Sequence, residues 1–122
     1  MSFTVKHELV KRDGKIRFRK FSEKGYEHFN IRLYIEGPIE QVEYVEYELH
    51  PTFKDTNRII RKRAGGFPLN IWTWGEFDII VTIHPISGDR EQIIYPLKFG
   101  ADLPADSAKY IDETPGKNKV YA

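Results

Sequence analysis

The chain has 122 residues, 40% of them hydrophobic and 14% aromatic, which suits one globular domain with a core of its own. Nineteen basic residues against 18 acidic ones leave a net charge of +1, so no global field draws the chain to nucleic acid or to an acidic membrane surface. The absence of cysteine excludes disulfides, a thiolate nucleophile and cysteine-ligated zinc, and it favours an intracellular protein.

The first twenty residues carry charges throughout and so cannot form a signal peptide, and no uncharged apolar run nears the length of a membrane span. The expectation is a soluble protein without a membrane partner, cytoplasmic, or nuclear in a eukaryote. Along the chain the hydrophobic period is two. Phe3, Val5, His7 and Leu9 alternate with Thr4, Lys6 and Glu8, and Ile16 and Phe18 resume the pattern after Asp13-Gly14. That dipeptide is a strong hairpin signal, because both central residues of a type I′ turn need positive φ. The second strand is therefore expected to pair back on the first. Phe29, Ile31, Leu33 and Ile35 then alternate with Asn30, Arg32, Tyr34 and Glu36 until Gly37-Pro38.

Val45, Tyr47 and Leu49 repeat this against Glu46 and Glu48, as do Phe77, Ile79, Val81 and Ile83 against Glu76, Asp78 and Thr82. After Ser87-Gly88-Asp89, Ile93, Tyr95 and Leu97 close the series. Seven or eight short strands, each apolar on one side, predict an all-β fold: an immunoglobulin-like β-sandwich of two antiparallel sheets over residues 1–99. From Gly100 the composition turns to Asp, Pro, Lys and Gly, and only Ala108 to Ile111 could make a turn of helix. Residues 100–122 read as a polar tail or linker.

Several chemistries lack their motifs. There is no G-x-x-x-x-G-K-[ST], G-x-G-x-x-G or G-x-S-x-G, and the serines at 2, 22, 87 and 107 stand in no nucleophile context. The histidines at 7, 28, 50 and 84 are too scattered for a local ligand pair, so neither a metal nor a cofactor is expected. Glu43, Glu46 and Glu48 are most simply the wet face of a strand. Arg58, Arg61, Lys62 and Arg63 before Gly65-Gly66 form the one dense basic patch; without interleaved aromatics it reads as a solvated turn rather than a phosphate site.

What remains is the stretch from Tyr47 to Val81. It sets an imidazole, a hydroxyl, a phenyl ring and an indole at strand ends, where a rigid sheet can present them for recognition. The combination of Tyr47-x-Leu49-His50-Pro51-Thr52-Phe53 with Trp74-Gly75-Glu76-Phe77-Asp78-Ile79 resembles the YEATS domain family. Gly25-Tyr26-x-His28 upstream and the strand ending in Gly37-Pro38 fit that family's order of elements. The resemblance covers about residues 26–99, and its departures suggest a divergent member of prokaryotic type. Such domains are immunoglobulin-like sandwiches that bind acylated lysine, and they are readers rather than enzymes.

Carried onto this chain, the resemblance makes Phe53 and Trp74 the two rings that sandwich the planar acyl amide. His50 would line the channel, and the Thr52 hydroxyl and the Trp74 backbone N–H would bond the amide. Thr73 and Gly75 flank the indole within the same site, and Tyr26 would form a side wall. Thr73 stands where many members have glycine, and Gly65-Gly66 stands in place of two prolines, which predicts a looser hairpin. The expected partner is an acylated-lysine peptide or protein, and in a prokaryote an effector joined through the C-terminal tail. Read singly, the same residues have plain roles: His50 and Thr52 as a bonded turn, Phe53 as a cap on the core. On that reading the domain is an interaction scaffold with a degenerate pocket.

Overall fold

The structure is a computed structural model that describes residues 2–20 and 25–115. It contains ten strands: β1 (Thr4–Leu9), β2 (Lys11–Arg12), β3 (Lys15–Lys20), β4 (Glu27–Glu36), β5 (Val42–Glu48), β6 (Asn57–Ile60), β7 (Leu69–Thr73), β8 (Phe77–Pro85), β9 (Glu91–Leu97) and β10 (Tyr110–Asp112). They form two sheets, with β4 central to the first and β6-β5-β8-β9 making the second. The immunoglobulin-like sandwich expected from the alternation is the fold observed. Its strand count exceeds the expectation because β2, β6 and β10 are too short, at two to four residues, to carry a readable period.

The inner faces are those the alternation marks. Ile31, Leu33 and Ile35 of β4 meet Val45 and Tyr47 of β5 and Ile79, Val81 and Ile83 of β8 in one buried cluster. Each aliphatic side chain so buried contributes about 1.5–3 kcal/mol. Tyr47 is fully buried, and its hydroxyl donates to the Phe67 carbonyl at 2.7 Å. Its phenol ionises well above the ordinary value because burial disfavours the charged form.

Two expectations about pairing change. Asp13 and Gly14 do adopt positive φ, 52° and 78°, and join β2 to β3. Yet β1 does not pair with β3: it runs antiparallel along β4 from Thr4↔Glu36 to Leu9↔Ile31, and β3 continues the same edge with Phe18↔Phe29. The hairpin signal is local to the turn, whereas the ten-residue β4 offers an edge long enough for both strands. Gly65-Gly66 is also not a loose hairpin. Ile35 N–H donates to the Gly66 carbonyl at 2.9 Å, and a Cβ on Gly66 would fall 2.2 Å from the Ile35 oxygen. Glycine stands there because two backbones are in contact.

The larger correction concerns the segment after Gly100, which is no free tail up to residue 115. Two 3-10 turns, Gly100–Asp102 and Ser107–Lys109, carry it back across the sandwich, and β10 joins β3 in parallel, Tyr110↔Ile16 to Asp112↔Phe18. Tyr110 packs on Phe18 and Phe29. Glu113 takes Arg17 Nε at 2.8 Å and lies 3.1 Å from Arg12 Nη1. Arg17 in turn donates to Asn30 Oδ1, and the buried Asn30 amide donates to the Ile71 carbonyl. A polar composition concealed this strap because ion pairs and a three-residue strand hold it in place. Residues 116–122 of the expected tail lie outside the described residues.

Candidate functional site

One end of the sandwich gathers the start of β4, the β5–β6 loop, the β7–β8 loop and the exit of β9. The antiparallel registers require this, since Phe29 pairs with Thr73, Glu48 with Ile80 and Phe77 with Leu97. The seven residues that the resemblance assigns to the acyl-lysine site, Tyr26, His50, Thr52, Phe53, Thr73, Trp74 and Gly75, fall on these connections or on the strand ends beside them.

The β5–β6 loop is closed by Leu49 N–H to the Thr56 carbonyl at 2.7 Å and by Phe53 N–H to the His50 carbonyl at 2.9 Å. Pro51 suits the second position of such a turn. Inside it, His50 Nδ1 accepts the Thr52 backbone N–H at 3.2 Å and lies 2.9 Å from Thr52 Oγ1. A nitrogen that accepts a backbone N–H carries no proton of its own, so the hydroxyl donates to it and keeps its oxygen lone pairs for another donor. Phe53 is half-buried, and its ring leans on Phe77 at 5.4 Å between centroids, where the His50 ring also meets Phe77 edge-on at 5.9 Å. Phe77 is thus the shared floor. Its place on the inner face was readable, but not its part under these two rings.

The β7–β8 loop is shaped by Thr73. Its side chain is buried, and its hydroxyl donates to the Gly75 carbonyl at 2.9 Å and accepts the Gly75 N–H at 3.3 Å. Thr73 therefore faces its own turn, with negative φ, and acts on the site by positioning the indole beyond it. Trp74 is 56% exposed, although large aromatic rings ordinarily bury most of their area. Tyr26 stacks on it with centroids 4.7 Å apart and planes inclined by 16°. The tyrosine expected as a side wall covers one face of the indole and leaves no room for a ligand on that face. Among the described residues Phe53 and Trp74 contact Phe77 and Tyr26 rather than each other.

Glu76 anchors this loop. Its Oε2 accepts the backbone N–H groups of Phe99 and Gly100, both at 2.7 Å. These two bonds, with the Gly100 bond the stronger influence, hold its carboxyl below the usual carboxylate range. No local sequence signal marks this clamp, because the N–H groups that donate to it lie beyond β9.

Two concavities among the described residues lie elsewhere: one of about 960 Å³ between β1 and the strap, one of about 500 Å³ between β3 and the strap. The candidate loops line neither. The basic patch is largely engaged with its own chain. Arg58 donates to the Asp55 carbonyl, Arg61 lies over the Tyr44 ring, and Arg63 donates to the carbonyls of Ile39 and Val42. Glu46 accepts from Asn57 at 2.7 Å, and the exposed Glu48 fits a wet strand face.

Comparison with known proteins agrees with the fold. The model of the prokaryotic YEATS domain matches residues 29–98. Among solved structures, the chain is similar to the Yaf9 YEATS domain recognizing H3K122suc peptide, with a TM-score of 0.60 and 16% identity over 83% of this chain and 72% of that one. It is also similar to the Yaf9 YEATS domain bound to H3K27ac, with a TM-score of 0.54 and 18% identity over 79% and 68%. The yeast AF-9 homolog protein Yaf9 gives a TM-score of 0.55 at 18% identity over 79% and 67%. At these identities the likeness is one of fold. No curated protein matches the sequence. The family model spans more than half of the chain, and the chain belongs to the prokaryotic YEATS domain family.

Proposed function

We propose that the rim formed by His50, Thr52, Phe53 and Trp74 binds an acylated lysine, and that the domain is a non-catalytic reader. The observation that carries this is that one end of the sandwich presents both an exposed indole, one face already covered by Tyr26, and the Thr52 hydroxyl bonded to His50 Nδ1. Acylation replaces an ammonium by a flat, weakly polar amide. The free face of Trp74 and the ring of Phe53 suit that amide, at about 0.5–1.5 kcal/mol per ring contact beyond area burial. Thr52 Oγ1 would accept the amide N–H and the Trp74 N–H would meet the acyl carbonyl, so neither polar end is left unpaired. The Yaf9 structures, of the same fold, hold succinylated and acetylated histone H3 peptides, which supports an acyl-peptide ligand here. In a prokaryote such a module would target or sense for an effector attached through its C-terminal side.

Titration with acetyl- and crotonyl-lysine peptides, followed by tryptophan fluorescence, tests this. A saturable response that Trp74→Ala and Phe53→Ala abolish supports the reader. No response from the intact protein supports the alternative, an interaction scaffold with a degenerate pocket.

A further inference from the structure

The outer face of the second sheet carries a pattern that the rim does not use. Opposite the buried side of β5 and β8 stand Tyr44, Glu46 and Glu48, then Asp78, Ile80 and His84, with Ile59 of β6 in register with Glu46 and Ile94 of β9 in register with Ile80. Ile94 is 65% exposed and Ile59 51%, and Ile80 between their strands is half-buried. Single exposed apolar side chains are ordinary, but several gathered on one sheet face mark an interaction surface. Charge is divided along the strands. Toward the rim end, Glu48 and Asp78 are exposed and form no ion pair among the described residues. Toward the far end, Arg61 lies 4.6 Å over the Tyr44 ring and likewise meets no carboxylate among the described residues, and His84 stacks on Tyr44 with centroids 4.1 Å apart. Glu46 between the two ends is engaged by His84 at 3.3 Å and by Asn57 at 2.7 Å. Tyr44 and Glu48 are separated by about 13 Å of strand, which keeps the free cation and the free carboxylates of one chain apart.

We propose that this face binds a second copy of this chain, packed face to face and head to tail about a two-fold axis. Reversing the strand direction between the copies lays the Glu48 and Asp78 end of one on the Arg61 end of the other. The axis repeats that contact, so a single patch complements itself. The same reversal sets Ile80 and Ile94 of one copy toward the flat Tyr44 and His84 rings of its partner, and each apolar contact leaves water on both sides. A parallel arrangement would oppose carboxylates to carboxylates, and a partner of one charge sign would be repelled at one end of the face. Four strands at about 4.8 Å spacing give a face roughly 15–20 Å across, at the small end of specific interfaces, so the dimer forms at high micromolar protein. In such a pair the two rims open at opposite ends. The proposal does not depend on what the rim binds.

Sedimentation velocity of the full chain, from low micromolar to millimolar concentration, tests this. The sedimentation coefficient should climb toward that of a dimer. Arg61→Glu in one chain, and Glu48→Lys with Asp78→Lys in another, should each weaken the dimer more than about tenfold, because every charged contact then opposes like signs. Mixed in equal amounts, the two variants should associate again, since each now faces the opposite charge on the other. Ile94→Thr, which keeps the β-branched shape, should weaken the dimer about threefold or more. All four positions are exposed, and urea unfolding checks that each variant folds. A chain that stays monomeric at every concentration, leaving the face to residues 116–122 or to another protein, would overturn the proposal. So would a dimer indifferent to all these changes, or charge variants that fail to associate on mixing.

Discussion

Replacing Thr52 with valine removes one hydroxyl and keeps the shape of the side chain. In the folded protein that hydroxyl donates to His50 Nδ1 while the same nitrogen also accepts the Thr52 N–H. The turn therefore keeps its backbone bond in the variant, and because Thr52 is exposed the fold should lose no more than about 0.5 kcal/mol. The ligand bears the loss. With valine, the acyl-lysine N–H lies between two rings without an acceptor, at about 1–3 kcal/mol. At about 1.4 kcal/mol per factor of ten, Kd should rise roughly 5- to 150-fold. Isothermal titration with an acetyl-lysine peptide reads this directly, and urea unfolding checks the fold. Thr52→Ser, which restores the oxygen, should recover most of the affinity. Valine binding within twofold of the parent, or serine as weak as valine, would refute the assignment of that oxygen as the amide's acceptor.

The other predictions concern the rings, the loop contact and the clamp. Trp74→Ala should cost the ligand about 0.5–1.5 kcal/mol beyond lost area, while thermal unfolding barely moves, because the indole is mostly exposed. Gly66→Ala should destabilise the fold by more than the about 1–3 kcal/mol of a strained backbone, since φ is +87° and the new Cβ meets the Ile35 oxygen. A urea midpoint equal to the parent's would contradict that contact. For Glu76, the folded carboxyl titrates below its unfolded value, so its bonds to Gly100 and Phe99 stabilise above the ordinary carboxylate range and fade as pH falls through the lowered value. The stability gap between the parent and Glu76→Gln should accordingly be widest near neutral pH and shrink as pH falls through and below the ordinary carboxylate range. A gap independent of pH in urea titrations would show that the clamp is not electrostatic.

Much of the sandwich was legible because β4, β5 and β8 bury one face in strict alternation, and a period of two can be read along a single strand. Partner choice could not be read the same way. The Asp13-Gly14 turn was evident, but nothing local to Phe3–Leu9 says that β1 prefers the long edge of β4 to its own hairpin. The strap escaped for the opposite reason: its polar residues look unstructured until Glu113 meets Arg17 and Tyr110 meets Phe29, contacts between distant parts of the chain. At the rim the split is similar. The bond between His50 and Thr52 spans two residues and follows from the motif, whereas the stack of Tyr26 on Trp74 depends on registers that bring two strand ends together.

The polar line from Glu113 through Arg17 and Asn30 to the Ile71 carbonyl also bears on how the domain can be trimmed. Truncation at the old boundary near residue 99 would strand a guanidinium whose side chain is only 21% exposed and strip Tyr110 from two phenyl rings. A shortened version meant to fold alone must keep β10 and Glu113 and Thr114 behind it. A reporter or affinity handle inserted before Thr114 would disturb the outermost strand of the first sheet.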